Sequence, residues 1–126
     1  VKTSWMRFGV PEGLFSEVEM RQGIHGGDIE TSLMLHFRPD LVDMNAAENF
    51  RSLAGEMQAG NRHLGPTGTH SFAWIASDLN PHGVVGDASA ATADKGRLVA
   101  EHQARGFVEL LQEVRAVGLE AGFASF

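Results

Sequence analysis

The chain has 126 residues, 43% of them apolar and 21% charged, a balance that suits one soluble globular domain and excludes a linker or a fibre. It contains no cysteine, which excludes disulfides and thiolate metal ligands, so any metal must be held by histidine nitrogen or carboxylate oxygen. A net charge of -6 with both signs interspersed leaves no positive face for phosphates, so nucleic acid is not an expected partner. With neither a long apolar run nor a signal-like N-terminus, the expected setting is the cytoplasm, with no membrane contact.

Residues 4–9, Ser-Trp-Met-Arg-Phe-Gly, combine aromatic and long side chains ahead of the turn-forming Val10-Pro11-Glu12-Gly13, which predicts a short strand. From Leu14 to Gln22, Phe15, Val18 and Met20 alternate with Glu17 and Glu19, a pattern that fits a strand and a short helix equally. Gly23, Gly26 and Gly27 around His25 predict a loop with something packed against its backbone. Asp28 is the expected N-cap of a helix whose Ile29, Leu33 and Phe37 share one face, and Pro39 ends it. Residues 43–69 are polar and interrupted by Gly55, Gly60, Gly65 and Gly68. They read as a long loop with one short helix near Ala46–Met57, of the kind that forms lids or subunit contacts.

Residues 70–77 alternate and carry Phe72 and Trp74, which predicts a strand, turned by Asp78-Leu79-Asn80-Pro81-His82-Gly83. Val84 and Val85 predict a brief second one. Thr92 or Asp94 opens the last helix, in which Val99, Gln103, Ala104, Phe107, Leu110, Leu111 and Val114 recur near the helical period and cover a core. Glu101, Arg105, Glu109, Glu113 and Arg115 form its solvated face. Gly96 and Gly106 each weaken such a helix by about 1 kcal/mol relative to Ala, which predicts close packing at both.

The chemistry centres on His25 and Glu30: an imidazole in a glycine loop and a carboxylate in the first turn of the following helix. A histidine near neutral pKa moves protons, and a carboxylate ligates a cation or holds a water, a pairing suited to hydrolysis. The competing reading is that Glu30 favours the helix N-terminus and His25 hydrogen-bonds its own loop. Trp74 is expected in the core, Asp78 and His82 as turn formers, and Asp87 as the shaper of the loop before the last helix. His36, His63, His70 and His102 share no ligand spacing and are expected to be structural or surface residues.

The run His25-Gly26-Gly27-Asp28-Ile29-Glu30-Thr31-Ser32-Leu33-Met34-Leu35, with Arg38-Pro39-Asp40-Leu41-Val42 after it, resembles the His-Ala-Gly-x-x-Glu-Thr-Ser segment of the creatininase family. Ser71-Phe72-Ala73-Trp74, Asp78, Gly83-Val84-Val85-Gly86-Asp87, Ala91-Thr92 and Lys95-Gly96 follow in the family's order, so the resemblance spans most of residues 23–115. It implies an α/β class: residues 1–126 as the C-terminal portion of a single domain of three layers, α/β/α, around a largely parallel sheet.

The implied activity is hydrolysis of a C–N bond in a small cyclic amide such as creatinine, by water activated on divalent metal, zinc or manganese, with iron a further option. A formamide or peptide substrate is the alternative within the family, and a non-catalytic oligomerisation domain lacking the metals is the alternative outside it. His25 takes the implied roles of substrate contact and proton transfer, and Glu30 that of metal ligand or neighbouring base. Asp28, at a variable position, keeps its N-cap reading. The implied assembly is a homo-oligomer, a hexamer. The Glu-x-His pair, the Asp and the Gly-His-Gly-Gly-Asn-like loop that supply most of the family's metal cage do not occur in this sequence.

Overall fold

The computed structural model describes residues 1–117. Ser4 and Arg7, and Met6 and Gly9, close a 3₁₀ turn over Trp5–Phe8. Helix α1, Glu17–Gln22, is capped by the Ser16 hydroxyl, which accepts the Glu19 N–H. Helix α2, Asp28–Phe37, follows the glycine loop and ends at an exposed Arg38–Asp40 pair that holds the Asp40 carboxyl below its usual range. Strand β1, Asn49–Phe50, precedes helix α3, Leu53–Gly60, capped by Ser52. Strands β2, Leu64–Gly65, and β3, His70–Ser71, pair in parallel. Helix α4 spans Ala76–Leu79, strand β4 spans Gly86–Asp87, and the long helix α5 spans Ala93–Val117.

The mixed α/β class holds, with a qualification about what binds the elements together. Among the described residues the sheets are two short pairs, β1 with β4 antiparallel and β2 with β3 parallel, so the framework is helical rather than a continuous parallel sheet. Its main contact is α2 against α5. Phe15, Leu33 and Val99 are buried there, with Val10, Leu14, Ile29 and Ala100 packed around them. Gly96 sits at the closest approach: a Cβ on it would overlap the Ser32 carbonyl oxygen and lie 2.9 Å from the His36 Cβ. Gly106 likewise leaves room for the Phe8 ring, whose carbon would be 2.8 Å from an added Cβ. Both glycines therefore have the packing role their helical cost implied.

Several expected elements differ. Residues 4–9 form a turn instead of a strand, because α5 takes the free carbonyls: His102 Nε2 lies 3.0 Å from the Phe8 oxygen and Gln103 donates to that of Gly9 at 2.9 Å. In 70–77 only His70 and Ser71 join a ladder. Phe72 and Trp74 are half-buried and Ala73 and Ile75 exposed, so the alternation records burial without a neighbouring strand. The Trp74 indole donates to the Pro66 carbonyl at 2.6 Å, and the Asp78 carboxylate accepts the Ile75 N–H to open α4. Val85 forms only a bridge, and the strand lies just beyond it. The short helix expected near Ala46–Met57 is displaced to Leu53–Gly60, with β1 ahead of it. In α5 the expected core face is buried at Val99 and Gln103, whereas Phe107, Leu111 and Val114 are exposed.

Gly96→Ala is expected to lower unfolding free energy by about 1–3 kcal/mol or more, because overlap with backbone has no flexible partner to absorb it. Gly60→Ala, at a helix position with open space around it, should be neutral or stabilise by up to about 1 kcal/mol. Denaturant unfolding of the two variants measures the contrast, and equal midpoints would contradict it.

Candidate functional site

The glycine loop is pinned before its side chains are considered. Ile24 and His25 N–H groups both donate to the Val85 carbonyl, at 2.8 and 3.1 Å, and Val85 N–H returns a bond to the His25 carbonyl at 2.7 Å. Gly26 follows with φ +68°, a left-handed conformation that a glycine adopts without strain. That turn directs the Gly26 N–H to Glu30 Oε2 at 2.6 Å, while the Thr31 hydroxyl donates to the Gly26 carbonyl at 3.0 Å. Loop and first helical turn are thereby locked to each other.

His25 and Glu30 do come together: Nδ1 lies 3.5 Å from Oε2, with the His25 side chain 61% exposed and that of Glu30 36%. A proton on Nδ1 can face the carboxylate, which leaves Nε2 free to meet a ligand. Glu30 borders a groove of about 390 Å³ with Gly26, Thr31, Met34, Val42 and Phe50. The start of the 43–69 segment thus walls the site, although much of that segment is ordered as β1, α3 and β2.

Asp28 corrects its expected role. It is the first residue of α2, and the capping position is Gly27. Asp28 is 3% exposed and its Oδ2 receives Lys95 Nζ at 2.6 Å. Ser32 donates to Oδ1 at 3.1 Å and accepts the Thr92 N–H at 3.1 Å, so the cluster clamps α2 to the start of α5. Lys95 also donates to the Ala90 carbonyl and lies 5.4 Å from the Phe15 ring centre. Thr92 rather than Asp94 caps α5, accepting the Lys95 N–H.

Trp74 is half-buried rather than fully in the core, and Asp78 and His82 shape turns away from the pair, the His82 N–H donating to Asn80. Asp87 accepts the Ser89 hydroxyl, consistent with loop shaping. His102 is structural, and His63 stacks edge-on to His70 on the surface.

A residue that pattern reading passed over is Glu19. It is 5% exposed, Oε1 accepts the Ile29 N–H at 3.3 Å and Oε2 accepts the Asp87 N–H at 3.1 Å. Gly23, Gly27 and Gly86 surround the carboxylate, and a Cβ on any of them would collide with it. The available signal was the pair Gly23 and Gly27 around His25, whose packing partner the sequence left unnamed.

A family model for creatininase, creatinine amidohydrolase, matches residues 1–111, and the chain belongs to the creatininase family. The fold is creatininase-like. A crystal structure from Bacteroides fragilis NCTC 9343, assigned as a creatinine amidohydrolase, superposes with a TM-score of 0.68 at 22% identity, covering 93% of this chain and 43% of that one. A creatininase glutamate-to-glutamine variant complexed with creatine gives 0.59 at 23%, covering 87% and 41%. The Zn-Zn type of such a variant gives 0.59 at 24%, covering 88% and 41%. The chain thus spans less than half the length of these neighbours. A comparison with curated proteins found no match.

Lys95→Met is expected to cost about 2–4 kcal/mol, since it leaves the Asp28 carboxylate buried without its cation. Adding Asp28→Asn should recover part of that loss. Thermal or denaturant unfolding of the single and double variants checks this, and a Lys95→Met protein as stable as the parent would contradict the clamp.

Proposed function

We propose that this chain contributes one wall of a metal-dependent amidohydrolase site, in which His25 contacts the amide and moves the proton and Glu30 faces the metal. The observation that carries the reading is the 3.5 Å His25–Glu30 pair on a backbone-pinned loop, in a chain of the creatininase family. Water adds across a C–N bond. The carbonyl carbon gains the hydroxyl as the bond breaks, and the imidazole passes the water's proton to the leaving nitrogen. A small cyclic amide such as creatinine is the proposed substrate, with a formamide or peptide as alternatives within the family.

The donor types suit zinc, but their number does not make a centre. Among the described residues no group of three or more His, Asp or Glu side chains is placed to hold a metal, and zinc needs three or four protein donors. No step is therefore assigned to a metal on these residues alone. Glu30 Oε2 is taken by the Gly26 N–H, and Oε1 makes no hydrogen bond among the described residues, so Oε1 is the oxygen proposed to meet the metal.

A non-catalytic role in assembly is the second reading, favoured by Phe107, Val108, Leu111, Val114 and Val117, which are 42–63% exposed along α5. Those residues also support the proposed homo-oligomer, expected as a hexamer; light scattering that finds only monomer would remove it. A cytoplasmic setting is proposed; no described helix is long and apolar enough to cross a membrane.

Elemental analysis of the intact protein should find stoichiometric zinc, with manganese and iron assayed beside it, and a protein purified without any of them fails the enzyme reading. His25→Ala and Glu30→Ala should each reduce hydrolysis by about a hundredfold or more while the helical circular dichroism persists. Normal turnover in both would remove the site assignment.

A further inference from the structure

We infer that Glu19 is a positioning residue for the His25–Glu30 pair, an inference that rests on the reading of that pair as the reacting groups. Helix α1 turns Glu19 inward and leaves its apolar neighbours Val18 and Met20 61% and 54% exposed. Hydrophobic burial alone would orient the helix the other way, so the inward carboxylate has a polar task. Its two oxygens take backbone N–H groups from different parts of the chain. Ile29, bonded through Oε1, directly precedes Glu30 in α2. Asp87, bonded through Oε2, ends the segment whose Val85 clasps the His25 backbone from both directions.

One carboxylate therefore ties together the two supports of the site, the helix start that carries Glu30 and the Val85–Asp87 segment whose Val85 holds His25. The surrounding glycines leave it no room to shift. A Cβ at Gly23 would lie 2.5 Å from the Glu19 Cδ, and one at Gly86 would lie 2.9 Å from Oε2 and 2.7 Å from the Gly27 Cα. The glycine-rich character of the motif is thus partly a cavity shaped for Glu19.

Glu19→Gln tests this with little change in volume. An amide has one acceptor oxygen, and its NH₂ group cannot accept, so one of the two backbone N–H groups loses its partner whichever way the amide turns. In the intact protein, hydrogen exchange at the Ile29 or Asp87 amide, and at Gly26, should rise by about tenfold or more. For the amide hydrolysed fastest by the parent protein, with creatinine as the first probe, kcat should fall by about tenfold or more while KM moves less than about threefold.

Where His25→Ala does lower turnover, an unchanged kcat in Glu19→Gln overturns the inference and leaves Glu19 a brace of the fold. Unchanged exchange at Gly26 overturns it as well. Glu19→Asp keeps the charge but reaches only one of the two donors, and is read in the same way should the glutamine variant fail to fold. Gly26 exchange needs no turnover, so it supports or rejects the positioning geometry even if His25→Ala and Glu30→Ala show the pair to be inert.

Discussion

A carboxylate inside the fold, with no salt bridge among the described residues, sets the geometry around it. Glu19 is stabilised by backbone N–H groups, and these must converge from two directions for its burial to be tolerable. That requirement brings the start of α2 beside the strand after Val85 and leaves only glycine able to stand at positions 23, 27 and 86. The loop carrying His25 runs between two of those glycines. Its path is set by what it must avoid as much as by the bonds it makes to Val85.

The second buried carboxylate is satisfied in another way. Asp28 has Lys95 at 2.6 Å and the Ser32 hydroxyl at 3.1 Å, and Ser32 passes the connection to the Thr92 N–H that opens α5. Breaking such a pair is far more destabilising than replacing both members by well-packed apolar groups, so the clamp specifies how α2 and α5 meet more than how tightly. Gly96, one residue beyond Lys95, then allows the helices to approach at Ser32. Glu19 and Asp28 grip the first turn of α2 from opposite partners, and Glu30 projects from that same turn toward His25.

What could be read from sequence divides along physical lines. Helices α2 and α5, the glycine loop and the His25–Glu30 juxtaposition were legible because each is local: apolar period, capping residues, and a spacing that puts both groups near one helix start. The packing roles of Gly96 and Gly106 were legible too, since a glycine inside a strong helix needs a reason. Illegible were the features that depend on distant partners. The alternation at 70–77 signalled half-burial of Phe72 and Trp74 but could not say that no strand would pair beyond Ser71. Glu19 was missed because α1 inverts the usual rule, exposing Val18 and Met20 and burying the charge. Asp28 looked like an N-cap, and only Lys95, remote in sequence, reveals it as half of an ion pair.

Chemistry and packing make the same demand on this chain. The His25 and Glu30 backbones are held firmly while their side-chain tips are 61% and 36% exposed, an arrangement suited to a preorganised site that receives a ligand. Two donors are too few for a zinc centre, and Gly96, Val99 and Gln103 are the buried residues of α5, whose Phe107, Val108, Leu111, Val114 and Val117 are exposed. Exposed apolar area of this kind suits contact with other protein. The three creatininase structures compared above are matched over only 41–43% of their own length. Residues 1–117 carry a backbone-pinned His25–Glu30 pair and an exposed apolar face on α5, and the proposed reading asks further protein to complete the first and cover the second.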